Sequence, residues 1–96
     1  MPKKYPPLTP REVIAILRAR GLTYDHSRGS HEYYSGEIRG RRRYVTVDVG
    51  YREFSIERIR DMIDQSGLSR EEFYGSTKAT AKKINLRAAK YPIPLA

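Results

Sequence analysis

Proline interrupts helices and the interior of sheets, and in this chain it occurs only at positions 2, 6, 7, 10, 92 and 94. Residues 11–91 are therefore one unbroken span free to form regular structure, with extended segments at both ends. Thr9-Pro10-Arg11-Glu12 opens the span as a capping box, with Thr9 at the N-cap, Pro10 at N1 and Glu12 at N3. Leu8 and Val13 are spaced to staple that entry. Val13, Ile14, Ile16 and Leu17 form the apolar stripe of a helix that Gly21 stops at C′, with Leu22 at C″ over Leu17.

Three short strands follow. Leu22 to Ser27 reads as the first and His31 to Ile38 as the second, separated by a turn at Arg28-Gly29-Ser30. Arg39-Gly40-Arg41 is the next turn. From Arg43 to Val49 the alternation is clean: Val45, Val47 and Val49 face one way, Tyr44, Thr46 and Asp48 the other. Such a strand is half-buried, its valines under helices and its polar face open. Ser55 then caps a second helix, with Ile56, Ile59, Met62 and Ile63 inward, Gly67 at its end and Leu68 folded back over Ile63. Ser69-Arg70-Glu71-Glu72 is a second capping box, stapled by Leu68 and Phe73, for a short third helix that Gly75 stops. The order α-β-β-β-α, with a short helix appended, predicts an α+β two-layer domain in which two helices cover one face of an antiparallel sheet. We expect residues 1–8 to be an extended segment, 9–75 the domain, and 76–96 a basic extension. In that extension Ala81, Ile84, Ala88 and Tyr91 recur at helical spacing while Leu86 breaks the stripe. It reads either as one more helix or as a frayed arm, and as dispensable for folding.

Charge narrows the partners. The 96 residues carry a formal net charge of +8, which points to an anionic partner such as nucleic acid or an acidic protein. Residues 1–75 hold fourteen Lys and Arg against eleven Asp and Glu, and residues 76–96 hold five Lys and Arg with no acid, so most of the excess lies in the extension. With no cysteine, disulfides and thiolate metal sites are excluded. Met1-Pro2-Lys3-Lys4 leads into no apolar segment, and no apolar run approaches membrane length. The expectation is a cytoplasmic protein with no membrane association.

Chemistry concentrates at Arg28-Gly29-Ser30-His31. Gly29 permits the positive φ of a tight strand-to-strand turn, so a guanidinium, a hydroxyl and an imidazole share one rim. His31 opens the second strand, where backbone pairing holds its ring, and imidazole is the side chain that titrates near neutral pH. Away from any family context, a histidine in such a place is usually structural.

The order of these pieces carries a resemblance. Gly21-Leu22 after the first helix, Arg28-Gly29-Ser30-His31-Glu32-Tyr33-Tyr34, Tyr44-Val45-Thr46-Val47, and the run from Ile59 to Ser69 together resemble a HicA-type toxin of the YcfA-like family, over roughly residues 9–75. The resemblance implies a fold like a double-stranded-RNA-binding domain and metal-independent endoribonuclease (mRNA interferase) activity on mRNA, without cofactor. It also implies neutralisation by a HicB-type antitoxin. The family's catalytic histidine follows Gly-Ser and maps onto His31. Three departures stand out: His26 where arginine or another residue is usual, a longer arginine-rich link before Val45, and the extension after Gly75.

Cleavage of RNA through its 2′-OH needs a base, an acid and cations around the phosphorus. His31 suits either proton-transfer role. Arg28 and the backbone amides of Gly29 and Ser30 suit phosphate, and no metal ligand set or second carboxylate stands out. His26, expected across the turn from His31, is either an accessory acid/base or a surface residue that only binds. Arg39, Arg41, Arg42 and Arg43 track a phosphate backbone, dock an acidic antitoxin, or form a solvated hairpin tip. One of Tyr33 and Tyr34 packs in the core and the other is free to stack on a base. The competing readings are a non-catalytic RNA-binding module of the same fold, and a structural or ribosome-associated protein dominated by its basic extension.

Overall fold

The computed structural model describes residues 3–96; Met1 and Pro2 of the expected N-terminal segment lie outside the described residues. The elements run α1 (Pro10–Ala19), β1 (Thr23–Arg28), β2 (His31–Ile38), β3 (Arg41–Asp48), α2 (Ile56–Ser66), α3 (Arg70–Tyr74) and α4 (Lys78–Lys82). The three strands form one antiparallel sheet in the order β1-β2-β3, giving an α+β domain with the α-β-β-β-α layout expected.

Most local signals act as read, except that Ser55, at the N-cap of α2, makes no side-chain cap bond. Glu12 N–H donates to Thr9 Oγ1 at 3.2 Å and Thr9 N–H to Glu12 Oε1 at 2.9 Å, the reciprocal pair of a capping box. At the other end of α1, Leu22 N–H reaches Leu17 O at 2.9 Å and Gly21 N–H reaches Arg18 O at 3.1 Å. Those are the two bonds of a Schellman turn, with Gly21 at φ +86°. Ser69 and Glu72 close the second capping box before α3 in the same way. Leu22 is fully buried at this junction, so β1 starts one residue later than its hydrophobicity suggested.

Turn lengths fix the register. Gly29, at φ +59°, and Ser30 form a two-residue loop that pairs Arg28 with His31, the glycine-first arrangement of a type II′ turn. Arg39 (φ +55°) and Gly40 (φ +74°) form another, which pairs Ile38 with Arg41. Two consecutive positive φ values are the pattern of a type I′ turn, whose twist matches that of the strands it joins. This tight turn brings Arg41 and Arg42 into β3, two residues earlier than expected.

One face of the sheet is closed. Tyr34, Ile38, Val45 and Val47 are buried there with Val13, Ile16 and Leu17 of α1, Ile59, Met62 and Ile63 of α2, and Phe73 and Tyr74 of α3. Gly36 lies on this face because β2 crosses the α1–β1 junction closely: a Cβ at position 36 would stand 2.6 Å from Gly21 O. Two expected core residues are outside it. Val49 lies past the end of β3 and is 39% exposed, and Ile56, in the first turn of α2 beyond the sheet's cover, is 50% exposed. Periodicity names a face, but an element's end overhangs the core.

Both termini are tied in. Phe54 N–H donates to Leu8 O at 2.8 Å, and the Tyr74 hydroxyl donates to Pro6 O at 2.7 Å. The extension is not frayed, and it has the cap that the sequence reading missed: Thr77 Oγ1 accepts from Thr80 N–H at 3.1 Å to start α4. Thr80 and Ala81 are buried. Arg20 spreads its guanidinium over Ser76 Oγ (2.9 Å), Glu72 O (2.8 Å) and Ile93 O (2.6 Å). Among the described residues no helix is long and apolar enough to cross a membrane.

Candidate functional site

The open face of the sheet is set by strand parity. His31 and Tyr33 of β2 point there with their register partners Asp48 and Thr46 of β3 and Arg28 and His26 of β1. His31 is held as expected, by pairing on both sides. Its ring is 51% exposed, and Nε2 lies 3.4 Å from Asp48 Oδ2.

Asp48 is the carboxylate that the sequence reading did not find. Gly50 N–H donates to its Oδ1 at 2.9 Å. That bond, then the Ser30 hydroxyl and the nearby cations of His31 and Arg58, hold its carboxyl below the usual aspartate value. Val49 N–H donates to Ser30 O at 2.9 Å, so the Gly29-Ser30 turn is stitched to the end of β3. The ionised carboxylate therefore stands beside the imidazole, close enough to pair with its Nε2. The signal was present in the turn. A two-residue loop at Arg39-Gly40 pairs residues 38 and 41, and counting back along both strands brings His31 opposite Asp48.

A cleft of about 160 Å³ opens beside this pair, lined by His31, Thr46, Asp48, Arg58, Asp61 and Gln65 with Phe54 and Met62 beneath. Arg58, Asp61, Met62 and Gln65 recur at helical spacing, so one stripe of α2 forms the far wall. Gln65 Oε1 accepts the edge N–H of Thr46 at 3.1 Å and fixes α2 against β3. Arg58 lies over the Tyr51 ring, 4.2 Å from its centroid, a cation–π contact that orients the guanidinium at the cleft. Arg28 is the register partner of His31 on β1, on the side away from β3, and does not line this cleft.

The other expected site residues are not gathered here. His26 does not face His31: a bulge at Asp25 shifts β1, and His26 pairs with Tyr33 instead. It stacks flat on that ring, with centroids 4.5 Å apart and planes 10° apart, and its Nδ1 lies 2.9 Å from Asp25 Oδ2. The tyrosine question is resolved. Tyr34 is buried, donates to Glu32 Oε1 at 2.8 Å and has its pKa pushed up to about 12, by burial first and Glu32 second. Tyr33 lies on the open face.

The arginine tip is at the far end of the sheet. Seven strand positions separate His31 from Ile38, about 24 Å at the usual strand rise. Arg39 is engaged with buried Glu72 and donates to Gly67 O at 2.9 Å. Arg42 lies back along the open face onto Ser35 Oγ at 3.1 Å, and Arg43 packs against Gly67. Arg41 is exposed and has no polar partner among the described residues.

No family model, curated protein or solved structure matches the chain. Among the described residues, no three His, Asp or Glu side chains converge as metal ligands.

Proposed function

We propose that this protein is a metal-independent endoribonuclease acting on mRNA, the toxin component of a HicA-type toxin–antitoxin pair, built on a double-stranded-RNA-binding-domain-like fold. The observation that carries the reading is His31: a half-exposed imidazole held between two paired strands beside an ionised carboxylate, at the mouth of a cleft lined by Arg58, with Arg28 its pairing partner on β1. His31 takes the proton of the 2′-OH as its oxygen bonds to phosphorus, Asp48 stabilises the imidazolium that forms, and the P–O5′ bond breaks with solvent water protonating the departing 5′-oxygen. Arg28, Arg58 and the amides of the Gly29-Ser30 turn meet the charge that builds on the phosphorus oxygens. His26 and Tyr33 form a stacked aromatic surface beside the site, suited to an unpaired base, so His26 binds and takes no part in proton transfer. Arg41 and Arg42 extend contact along the backbone or meet an acidic HicB-type partner, while Arg39 and Arg43 mainly hold the hairpin to α3 and the end of α2.

The alternative, a non-catalytic RNA-binding module, draws support from that open, aromatic sheet face. Cleavage decides between them. Wild-type protein is expected to cut single-stranded RNA in EDTA, leaving 2′,3′-cyclic phosphate ends. His26→Ala should raise KM several-fold with the shape of the pH–rate profile unchanged. RNA recovered intact while still bound would favour the module.

A further inference from the structure

The extension after Gly75 forms a second concave surface, separate from the cleft beside His31. Lys78, Lys82, Asn85, Leu86, Arg87, Ala88 and Tyr91 enclose about 510 Å³, and none of them lines the His31 cleft. Its charge is one-sided. Three cations face it, and residues 76–96 contain no Asp or Glu to neutralise them. The fourth nearby cation, Lys83, points away, donating to Pro7 O at 2.9 Å and Glu12 Oε1 at 3.0 Å.

The surface is also held in shape. Lys78 and Lys82 are one turn apart on α4, which is capped by Thr77 and seated by buried Thr80 and Ala81. The helix ends with Ile84 N–H bonded to Ala81 O at 3.1 Å and Leu86 N–H to the same carbonyl at 3.0 Å. Asn85 occupies the left-handed region, at φ +56°, to make that return. The Tyr91 hydroxyl closes the loop, donating to Leu86 O at 3.2 Å and accepting from Ala88 N–H at 3.0 Å. With its hydroxyl engaged, Tyr91 offers the pocket mainly its ring.

We propose that this pocket is a second RNA-contact site, taking the phosphates and one base of a single-stranded segment away from the scissile bond. Lys78, Lys82 and Arg87 bind the phosphates, Asn85 supplies amide donors and acceptors, and Leu86 and Tyr91 provide the apolar wall against which a base stacks. Cations interleaved with an aromatic ring are the ordinary composition of single-strand sites. An acidic protein would satisfy the lysines but leaves the Tyr91–Leu86 wall unused. The inference rests on the ribonuclease reading for its biological sense, but its test does not depend on cleavage.

The probe is a fluorescent 2′-O-methyl oligoribonucleotide of about 12 nucleotides, which has no free 2′-OH to attack. Its affinity for the full chain is measured from low to moderate salt. The variant Lys78→Ala/Lys82→Ala/Arg87→Ala should weaken binding at least tenfold at low salt. The slope of log affinity against log salt should fall by about 2, as expected for three lost phosphate contacts to a single strand. A charge-matched control, Lys3→Ala/Arg11→Ala/Arg52→Ala, should change affinity less than threefold. Lys82→Glu gives a second reading should the triple variant melt early. Equal weakening by the control, or amide shifts on RNA addition that bypass residues 78–91, would overturn the proposal. If wild-type protein cleaves RNA while the pocket variants bind normally, the second site alone is wrong. If nothing is cleaved but the pocket variants lose the oligonucleotide, the ribonuclease reading fails and the second site stands.

Discussion

At the scale of single residues, the pair His31–Asp48 carries the most weight. The two arrive from different strands and meet because His31 opens β2 where Asp48 closes β3, at one end of the sheet. Asp48→Asn keeps the shape but removes the charge that orients and stabilises the imidazolium. It should lower kcat by about 10- to 100-fold, a portion of the ~10²–10⁴ that a placed acid–base contributes, with little change in KM. An unchanged kcat would mean that Asp48 merely completes the turn. The histidine was legible in the sequence because Gly-Ser marks the turn before it. Asp48 was not, although the information was there: with the turn taken as Arg39-Gly40-Arg41 the register stayed one residue undecided, and a one-residue slip sends every side chain to the other face.

At the scale of elements, the boundaries of the first three helices were readable from local chemistry, through both capping boxes, the Gly21 turn and the left-handed Gly67, whereas the Thr77 cap of α4 was not. What escaped were contacts between positions far apart in the chain. Arg20 meets Ile93, Lys83 meets Pro7, and Arg39 meets Glu72; no window of ten residues contains any of these pairs. Such contacts bear on the expectation that the extension is dispensable for folding. Cutting after Gly75 removes the Ser76 and Ile93 acceptors of Arg20, uncovers Tyr74 O from its 2.6 Å bond with Thr80 Oγ1, and exposes the surface beneath Ala81. Each unsatisfied buried group costs about 1–3 kcal/mol. For a domain this small, about 1 kcal/mol shifts Tm by roughly 4–8 °C, so thermal unfolding should show a loss of about 10 °C or more. An unchanged Tm would return the extension to the status of an appended arm. Separately, Glu72→Ala breaks the pair with Arg39 and the second capping box together and should cost about 3 kcal/mol in urea unfolding, loosening both the hairpin tip and α3.

At the scale of the whole molecule, one face of the sheet is closed by helices and the other is left for function, and the excess positive charge is concentrated in a folded extension rather than spread evenly. Acid stability follows from the carboxylates that tie the parts together. Burial alone would raise the Glu72 pKa, but Arg39 and the N–H groups of Ala96 and Ser69 outweigh it and bring the value down to about 2; Glu12 is lowered as well, with Lys83 and Thr9 overcoming its burial. A carboxylate depressed in the folded state stabilises it above the unfolded pKa and loses that contribution as pH falls through the folded value. Stability should therefore be flat near neutrality and decline from about pH 4.5 toward pH 2, and Glu72→Gln should flatten much of that decline. The central claim, that His31 cuts RNA without a metal, has a direct test. Purified wild-type and His31→Ala proteins are incubated in EDTA with an end-labelled, unstructured RNA, and the products are resolved with their terminal groups identified. The account predicts fragments ending in 2′,3′-cyclic phosphate from the wild type and intact RNA from the variant, with both proteins folded and binding RNA within a few-fold of each other. Equal cleavage by His31→Ala, or no cleavage by folded wild-type protein, would contradict it.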